Sequence, residues 1–252
     1  MKLELDELDL SPLHLAVWSQ NEEFIELVLS LDMNCNYHTQ MLQYTPLHLA
    51  CKYGTIDIVK LLLQYSKEKD IDVNTRERFR YTPLHLICSW NKTELLKLFL
   101  DLSEEIDLNV NAINTIDGMT PLHTACDTGN TEIVKILFDY SVVKNIDLNA
   151  IDHYGRTPLH MACRKGHVET VKLILDNAVS KSINVNATSI TDSTPLHMAS
   201  ICKNNAYETV KLLLKRSKEV GLDLNLRNRD GYTAMNISKS MEITNLFRDY
   251  DQ

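Results

Sequence analysis

Apolar positions along this chain come in short stripes of helical spacing, separated by polar turns. Residues 152–187 show the unit most cleanly. Asp152-His153-Tyr154-Gly155-Arg156 has turn composition, and Gly155 suits a positive φ. Thr157 is placed to cap a helix whose first position is Pro158, where the missing N–H costs nothing. Leu159, Ala162 and Cys163 form one apolar stripe, which Gly166 ends as a left-handed terminus. Val168, Val171, Ile174 and Leu175 form a second stripe. Leu148-Asn149-Ala150 leads into the unit and Val185-Asn186-Ala187 leads out. The pattern predicts a helix–turn–helix joined to its neighbours by hairpin-like turns.

The unit recurs. All six prolines (Pro12, Pro46, Pro83, Pro121, Pro158, Pro195) follow Ser or Thr and precede Leu-His. The motif histidines are His14, His48, His85, His123, His160 and His197, at intervals of 34, 37, 38, 37 and 37 residues. A seventh unit at Thr233-Ala234-Met235-Asn236 has lost both Pro and His. Repeats of this kind pack only on their neighbours, so residues 1–252 are expected to form one array without separate domains. Its units run at about 1–40, 41–77, 78–115, 116–152, 153–189, 190–228 and 229–252. The first and last are expected to be caps with polar outer faces. Glu22, Glu23 and Glu26 supply this at one end; at the other a final helix near Glu242 to Tyr250 mixes polar residues with Ile243, Leu246 and Phe247.

T-P-L-H-x-A, the glycine after the first helix, V-K-L-L-L and V-N-A before the turn resemble the ankyrin repeat. The resemblance covers essentially the whole chain. It implies an all-α repeat solenoid, an L-shaped stack with a concave face of turn tips and first helices. It also implies that the six motif histidines tie neighbouring turns by hydrogen bonds. Family precedent includes inhibitors of Rel-type transcription factors, cyclin-dependent kinase inhibitors and substrate-recruiting adaptors. The departures are specific. The usual unit is about 33 residues. Here four extra residues follow the second stripe, as in Ser66-Lys67-Glu68-Lys69, and predict second helices one turn longer, with a polar, solvated extension. Ile87 replaces the small Ala of the first helix and disturbs the expected packing there. Two extra residues precede the second helix in Ser200-Ile201-Cys202-Lys203-Asn204-Asn205.

Charge narrows the function. A formal net charge of -8 disfavours binding to phosphate backbones, so no nucleic-acid partner is expected. No apolar run approaches the ~18 residues of a membrane span, and Met1-Lys2-Leu3-Glu4-Leu5-Asp6 does not resemble a leader. The expectation is a soluble monomer of the cytoplasm, with the nucleus as the other compartment. Cys51, Cys88, Cys126 and Cys163 each lie three residues after a motif histidine. Stacked helices hold equivalent positions about 8–10 Å apart, too far for disulfides and too far to assemble four zinc ligands. These cysteines read as buried thiols of a reducing compartment, and no metal or cofactor is expected.

No singular catalytic constellation stands out from the repeats. His38, His153 and His167 read as turn-surface residues, and Lys60, Lys97, Lys135, Lys172 and Lys211 as a solvated outer face. The expected function is therefore non-enzymatic: binding another protein through the concave surface, as inhibitor, adaptor or scaffold. The alternative is a regulatory or targeting domain of a larger enzyme or channel. Positions that vary between units carry the candidates. First-helix ends supply Trp18, Lys52, Tyr53, Trp90, Arg164 and Lys165. Turn tips supply Arg78, Phe79, Tyr81, Met119, Tyr154, Arg156 and Tyr232. Trp18, Tyr53, Phe79, Tyr81 and Trp90 form the leading aromatic contact patch, unless those rings pack on neighbouring repeats. Arg156, Arg164 and Lys165 form a positive spot, or ordinary solvated charge. Asn74, Asn111, Asn149 and Asn186 resemble asparagine hydroxylation sites of some ankyrin repeats, or stabilise turns.

Overall fold

A computed structural model describes residues 9–250; the acidic opening segment read above lies outside the described residues. Within them the chain forms fourteen helices and no strand. First helices are α1 (Pro12–Ser19), α3 (Pro46–Tyr53), α5 (Pro83–Ser89), α7 (Pro121–Thr128), α9 (Pro158–Lys165), α11 (Pro195–Ser200) and α13 (Ala234–Ile237). Second helices are α2 (Glu22–Ser30), α4 (Ile56–Gln64), α6 (Thr93–Asp101), α8 (Thr131–Tyr140), α10 (Val168–Asn177), α12 (Ala206–Val220) and α14 (Met241–Tyr250). First helices pack on first helices, and from α4 onward second helices on second helices. One continuous core runs between the two layers, from Leu13 to Phe247.

Each of the six Pro-initiated helices starts on the same local device. Thr45 caps α3: its Oγ1 accepts the His48 N–H at 3.4 Å, and His48 Nδ1 accepts the Thr45 N–H at 3.2 Å. The imidazole thus fills the role usually played by Glu at the third helical position. Asn236 does the same for α13, where Thr233 N–H reaches its Oδ1 at 3.4 Å. The cap is therefore present without Pro, although α13 runs only from Ala234 to Ile237. Ala16, Ala50, Ala125, Ala162 and Ala199 are fully buried where first helices meet, and Ile87 at the matching position is fully buried too. The stack therefore absorbs the larger side chain, contrary to the disturbance expected there.

The lengthened second helices also need correction. Only α12 extends as an α-helix; α4, α6, α8 and α10 stop, and the extra residues continue as turns. Asp70, Asp107, Asn145 and Ser182 adopt φ of 51 to 53° there. The N–H groups of Ile71, Leu108 and Ile146 reach back to the carbonyls of Ser66, Ser103 and Ser141 at 2.8 to 3.0 Å. A left-handed residue with a six-to-one bond is a helix stop. The serines are buried and not solvated, and Ser66 and Ser141 donate their hydroxyls to helix carbonyls at 2.7 Å.

Beyond these stops an asparagine ladder joins the repeats. Asn149 Nδ2 donates to the Ser182 carbonyl at 3.0 Å, and its Oδ1 accepts the Asn184 N–H at 2.8 Å. Asn36, Asn74, Asn111 and Asn186 make the same pair of bonds to the following repeat. Replacing Asn149 with Ala removes both bonds of one rung. The expected cost is about 1–2 kcal/mol in urea unfolding; an unchanged midpoint would show the rung to be energetically idle.

The outer face of the first repeat is less polar than expected of a cap. Glu22, Glu23 and Glu26 are exposed, but so are Leu15, Phe24, Leu27 and Leu31. Leu15 is 47% exposed and Phe24 39%, whereas their equivalents in the second repeat, Leu49 and Ile58, are 9% and 1%. In the other repeats these positions are buried or half-buried.

Candidate functional site

Turn tips line up along one edge of the stack, each built on one buried side chain. Asp152 Oδ1 accepts the N–H groups of Tyr154 and Arg156 at 2.9 and 2.8 Å. Glu77 serves Phe79 and Tyr81, and Asn228 serves Asp230 and Tyr232, in the same way. The residue two before each helix cap is left-handed: Gln43, Arg80, Gly118, Gly155, Asp192 and Gly231. Successive tips are joined by backbone rungs: Arg78 N–H to the Leu42 carbonyl, His153 to Asp117, Ile190 to Tyr154 and Arg229 to Thr191, all at 2.8 to 2.9 Å.

The motif histidines fasten each turn to the helix of the preceding repeat. Nδ1 accepts the cap N–H, so the proton sits on Nε2. His14, His85, His123, His160 and His197 donate from Nε2 to the carbonyls of Tyr44, Met119, Arg156, Ser193 and Tyr232 at 2.8 to 3.0 Å. His48 faces the Tyr81 carbonyl without reaching hydrogen-bond geometry. Burial lowers the pKa of all six rings, to about 3 for His48 and about 4 for His85 and His160. Wherever both ring nitrogens are used in this way, no lone pair remains for a metal. Burial also pushes the Cys51, Cys88, Cys126 and Cys163 thiols up, away from the thiolate that metals bind. Among the described residues no group of three or more His, Cys, Asp or Glu is placed to hold a metal ion.

Side chains at the tips and helix ends differ from repeat to repeat. Met41, Phe79, Ile116, Tyr154, Ile190 and Tyr232 are exposed, one large apolar side chain on each of six successive turns. Met119, read from sequence as a contact residue, is only 7% exposed and points into the core. Trp18, Tyr53 and Trp90 are partly buried against the core, and Trp18 meets Tyr53 edge-on at 5.6 Å. Lys52 Nζ sits 5.0 to 5.5 Å from the ring centres of Tyr44, Tyr53 and Trp90, so it bridges the second repeat to the third. Tyr81 is half-buried beside His85, which leaves Phe79 as the exposed ring of the aromatic group. The positive spot is largely neutralised. Arg156 pairs with buried Asp152 at 2.6 Å, while Arg164 and Lys165 share Asp127 at 2.6 and 3.3 Å.

The family model described as "Ankyrin repeats (3 copies)" matches residues 13–112, 65–152, 106–189 and 142–228. The chain belongs to the ankyrin repeat family. Among solved structures it is similar to the ankyrin repeat domain of Bcl-3, described as a unique member of the IkappaB protein family. That match has 26% sequence identity and a TM-score of 0.75, and covers 95% of this chain and 99% of the other. No curated protein sequence matches it. Ankyrin repeat domains are as a class protein-interaction modules, typically without enzymatic activity.

Two features of this ankyrin array bear on where a partner could sit. Lys60, Lys97, Lys135, Lys172 and Lys211 are exposed on the second helices, each three residues after an Asp or Glu. Lys97 and Glu94 close to 3.1 Å, and each of the other lysines has an acidic residue of opposite charge one turn earlier on its helix. Seven of the nine arginines (Arg76, Arg78, Arg80, Arg156, Arg164, Arg227, Arg229) instead lie on turns or the end of a first helix. Sequence reasoning missed Met41 and did not select Ile116 and Ile190. Their apolar character at turn positions that otherwise favour polar residues was the available signal. Among the described residues no helix is long and apolar enough to cross a membrane.

Proposed function

We propose that this array is a non-enzymatic protein-interaction module that binds a protein partner through its turn tips and first-helix ends, in an inhibitor, adaptor or scaffold role. The observation that carries this is the row of six exposed apolar side chains, one per turn from Met41 to Tyr232. Turns ordinarily present polar residues to water. A row of apolar tips, one to a turn, with arginines on several of the same turns, matches the aromatic and arginine composition of binding hot spots. The lysines of the second-helix face are solvated charges, which contribute little to binding. The similarity to the Bcl-3 ankyrin domain supports the same class of role.

The test compares two variants by affinity capture and quantitative mass spectrometry. Phe79→Ser with Ile190→Ser should lose the specific partner, with affinity reduced at least about tenfold, and keep its helical content. Lys135→Glu with Lys172→Glu on the second helices should retain it. Loss of the partner from the lysine variant alone would reject the concave surface.

A further inference from the structure

The second helix of the first repeat is apolar on two sides. Ile25, Val28 and Leu29 are buried in the core. Phe24, Leu27 and Leu31, spaced by three and four residues, share a second face and are 39, 60 and 49% exposed. In α4, which has a repeat on either side, the matching Ile58 is buried, and Leu61 and Tyr65 are half-buried. The stripe on α2 is thus a helix-packing face that no neighbour covers among the described residues. Contiguous exposed apolar surface of this kind marks an interaction site.

Charge points to what covers it. From Asp9 to Gln40 there is no Lys or Arg. Residues 1–40 hold eight Asp or Glu and one Lys, whereas residues 41–252 hold 26 Asp or Glu and 25 Lys or Arg. Nearly all of the net charge of -8 therefore sits at this end of the chain. The inversion is specific to position: Glu26 stands where the later second helices carry Lys60, Lys97, Lys135, Lys172 and Lys211. The dipole of α2 favours Glu22 and Glu23 in its first turn, but it gives no reason for Glu26, or for Asp32 just past the other end. Glu22, Glu23, Glu26 and Asp32 are all exposed, and among the described residues none has a cationic partner.

We infer that this end of the array docks a basic amphipathic helix of a partner protein. Its apolar residues lie on Phe24, Leu27 and Leu31, and its Lys or Arg side chains reach Glu23, Glu26 and Asp32. A helix fits because the face is one that packs helices elsewhere in the stack, at separations of about 8–10 Å. Opposite charge along the margin selects the partner and speeds its encounter. A second copy of this chain brings the same acidic margin with its first repeat, and no surplus of Lys and Arg with its last unit, 229–252. The opening segment brings Glu4, Asp6 and Glu7 along with its leucines, so repulsion disfavours it too. The site is separate from the turn tips and does not depend on the concave-surface reading.

Peptide titration of the whole chain, followed by NMR, tests this. The probe is acetylated, amidated Lys-Leu-Ala-Lys-Leu-Leu-Lys-Ala-Leu-Lys-Ala-Leu-Leu-Lys, whose leucines share one helical face. Its controls are a scrambled peptide of the same composition and a copy with Glu in place of every Lys. The probe should shift the amides of Phe24, Leu27 and Leu31 saturably, and more weakly as salt rises. The scrambled peptide should bind at least about tenfold more weakly, having lost its apolar face, and the acidic copy should not bind. Leu27→Ser with Leu31→Ser should weaken the probe about tenfold with helical content intact. Glu23→Lys with Glu26→Lys should remove the salt dependence. Equal affinity for the probe and its scrambled control would show only general attraction of cations and overturn the site. Shifts confined to the turn tips overturn it as well, although they leave the concave-surface reading standing. In the free chain, nuclear Overhauser contacts from the Phe24 ring to Leu3, Leu5 or Leu8 would assign the face to the opening segment. A dimer in sedimentation that Leu27→Ser abolishes would assign it to a second copy. Either result overturns the proposal.

Discussion

Acidification from pH 7 to pH 5 is expected to remove several kcal/mol from the stability of this array. The six motif rings are neutral when folded, and burial holds His85 and His160 at about 4 and His48 at about 3, against an ordinary 6.5. The unfolded chain therefore binds protons that the folded chain refuses. Stability is full above about pH 6.5 and falls as pH drops from there toward the folded values. At pH 5 the loss is on the order of 2 kcal/mol for each of these three rings. Whole domains hold only about 5–15 kcal/mol. Urea midpoints measured at pH 7, 6 and 5 should fall steeply below 6.5; a flat profile to pH 5 would contradict the burial of the rings. His160→Asn, which copies the Thr233–Asn236 cap, should be less stable at pH 7 by about 1–3 kcal/mol, because the Ser193 carbonyl loses its donor. It should also show a shallower pH dependence.

The second large effect is expected at Gly166. It ends α9 at φ 73°, and a Cβ there would overlap the Asn204 carbonyl oxygen. That oxygen belongs to backbone, so the neighbouring repeat must shift. Gly166→Ala should cost about 3 kcal/mol, combining left-handed strain with the displaced loop. Gly221→Ala is the matched control: φ is 68° and nothing lies within 4 Å of its Cβ position. It should cost only about 1 kcal/mol. Equal losses in urea unfolding would show that the Asn204 loop yields without resistance.

The contrast between these glycines marks what can be read in a sequence. That Gly166 stops a helix follows from its place after an apolar stripe. That Asn204 covers it follows from two extra residues in the next repeat, whose path no local rule predicts. The candidate surface divides the same way. Phe79, Tyr154 and Tyr232 were legible as turn residues and are exposed. Met119 occupies an equivalent turn position, yet its side chain is buried and its carbonyl receives His85. Arg164 looked free in the sequence and is paired with Asp127, 37 residues earlier.

By itself the sequence determined the unit, its number, the start of each first helix at a Ser- or Thr-capped proline, and the loss of that proline in the seventh. These follow from contacts within about four residues, which capping and helical periodicity encode directly. Only the tertiary structure decided that most second-helix extensions are turns, that Lys52 is enclosed by three rings from two adjacent repeats, and that Met119 turns into the core. Each of these depends on how close one repeat comes to the next, and that distance is set by side chains 30 to 40 residues apart acting together.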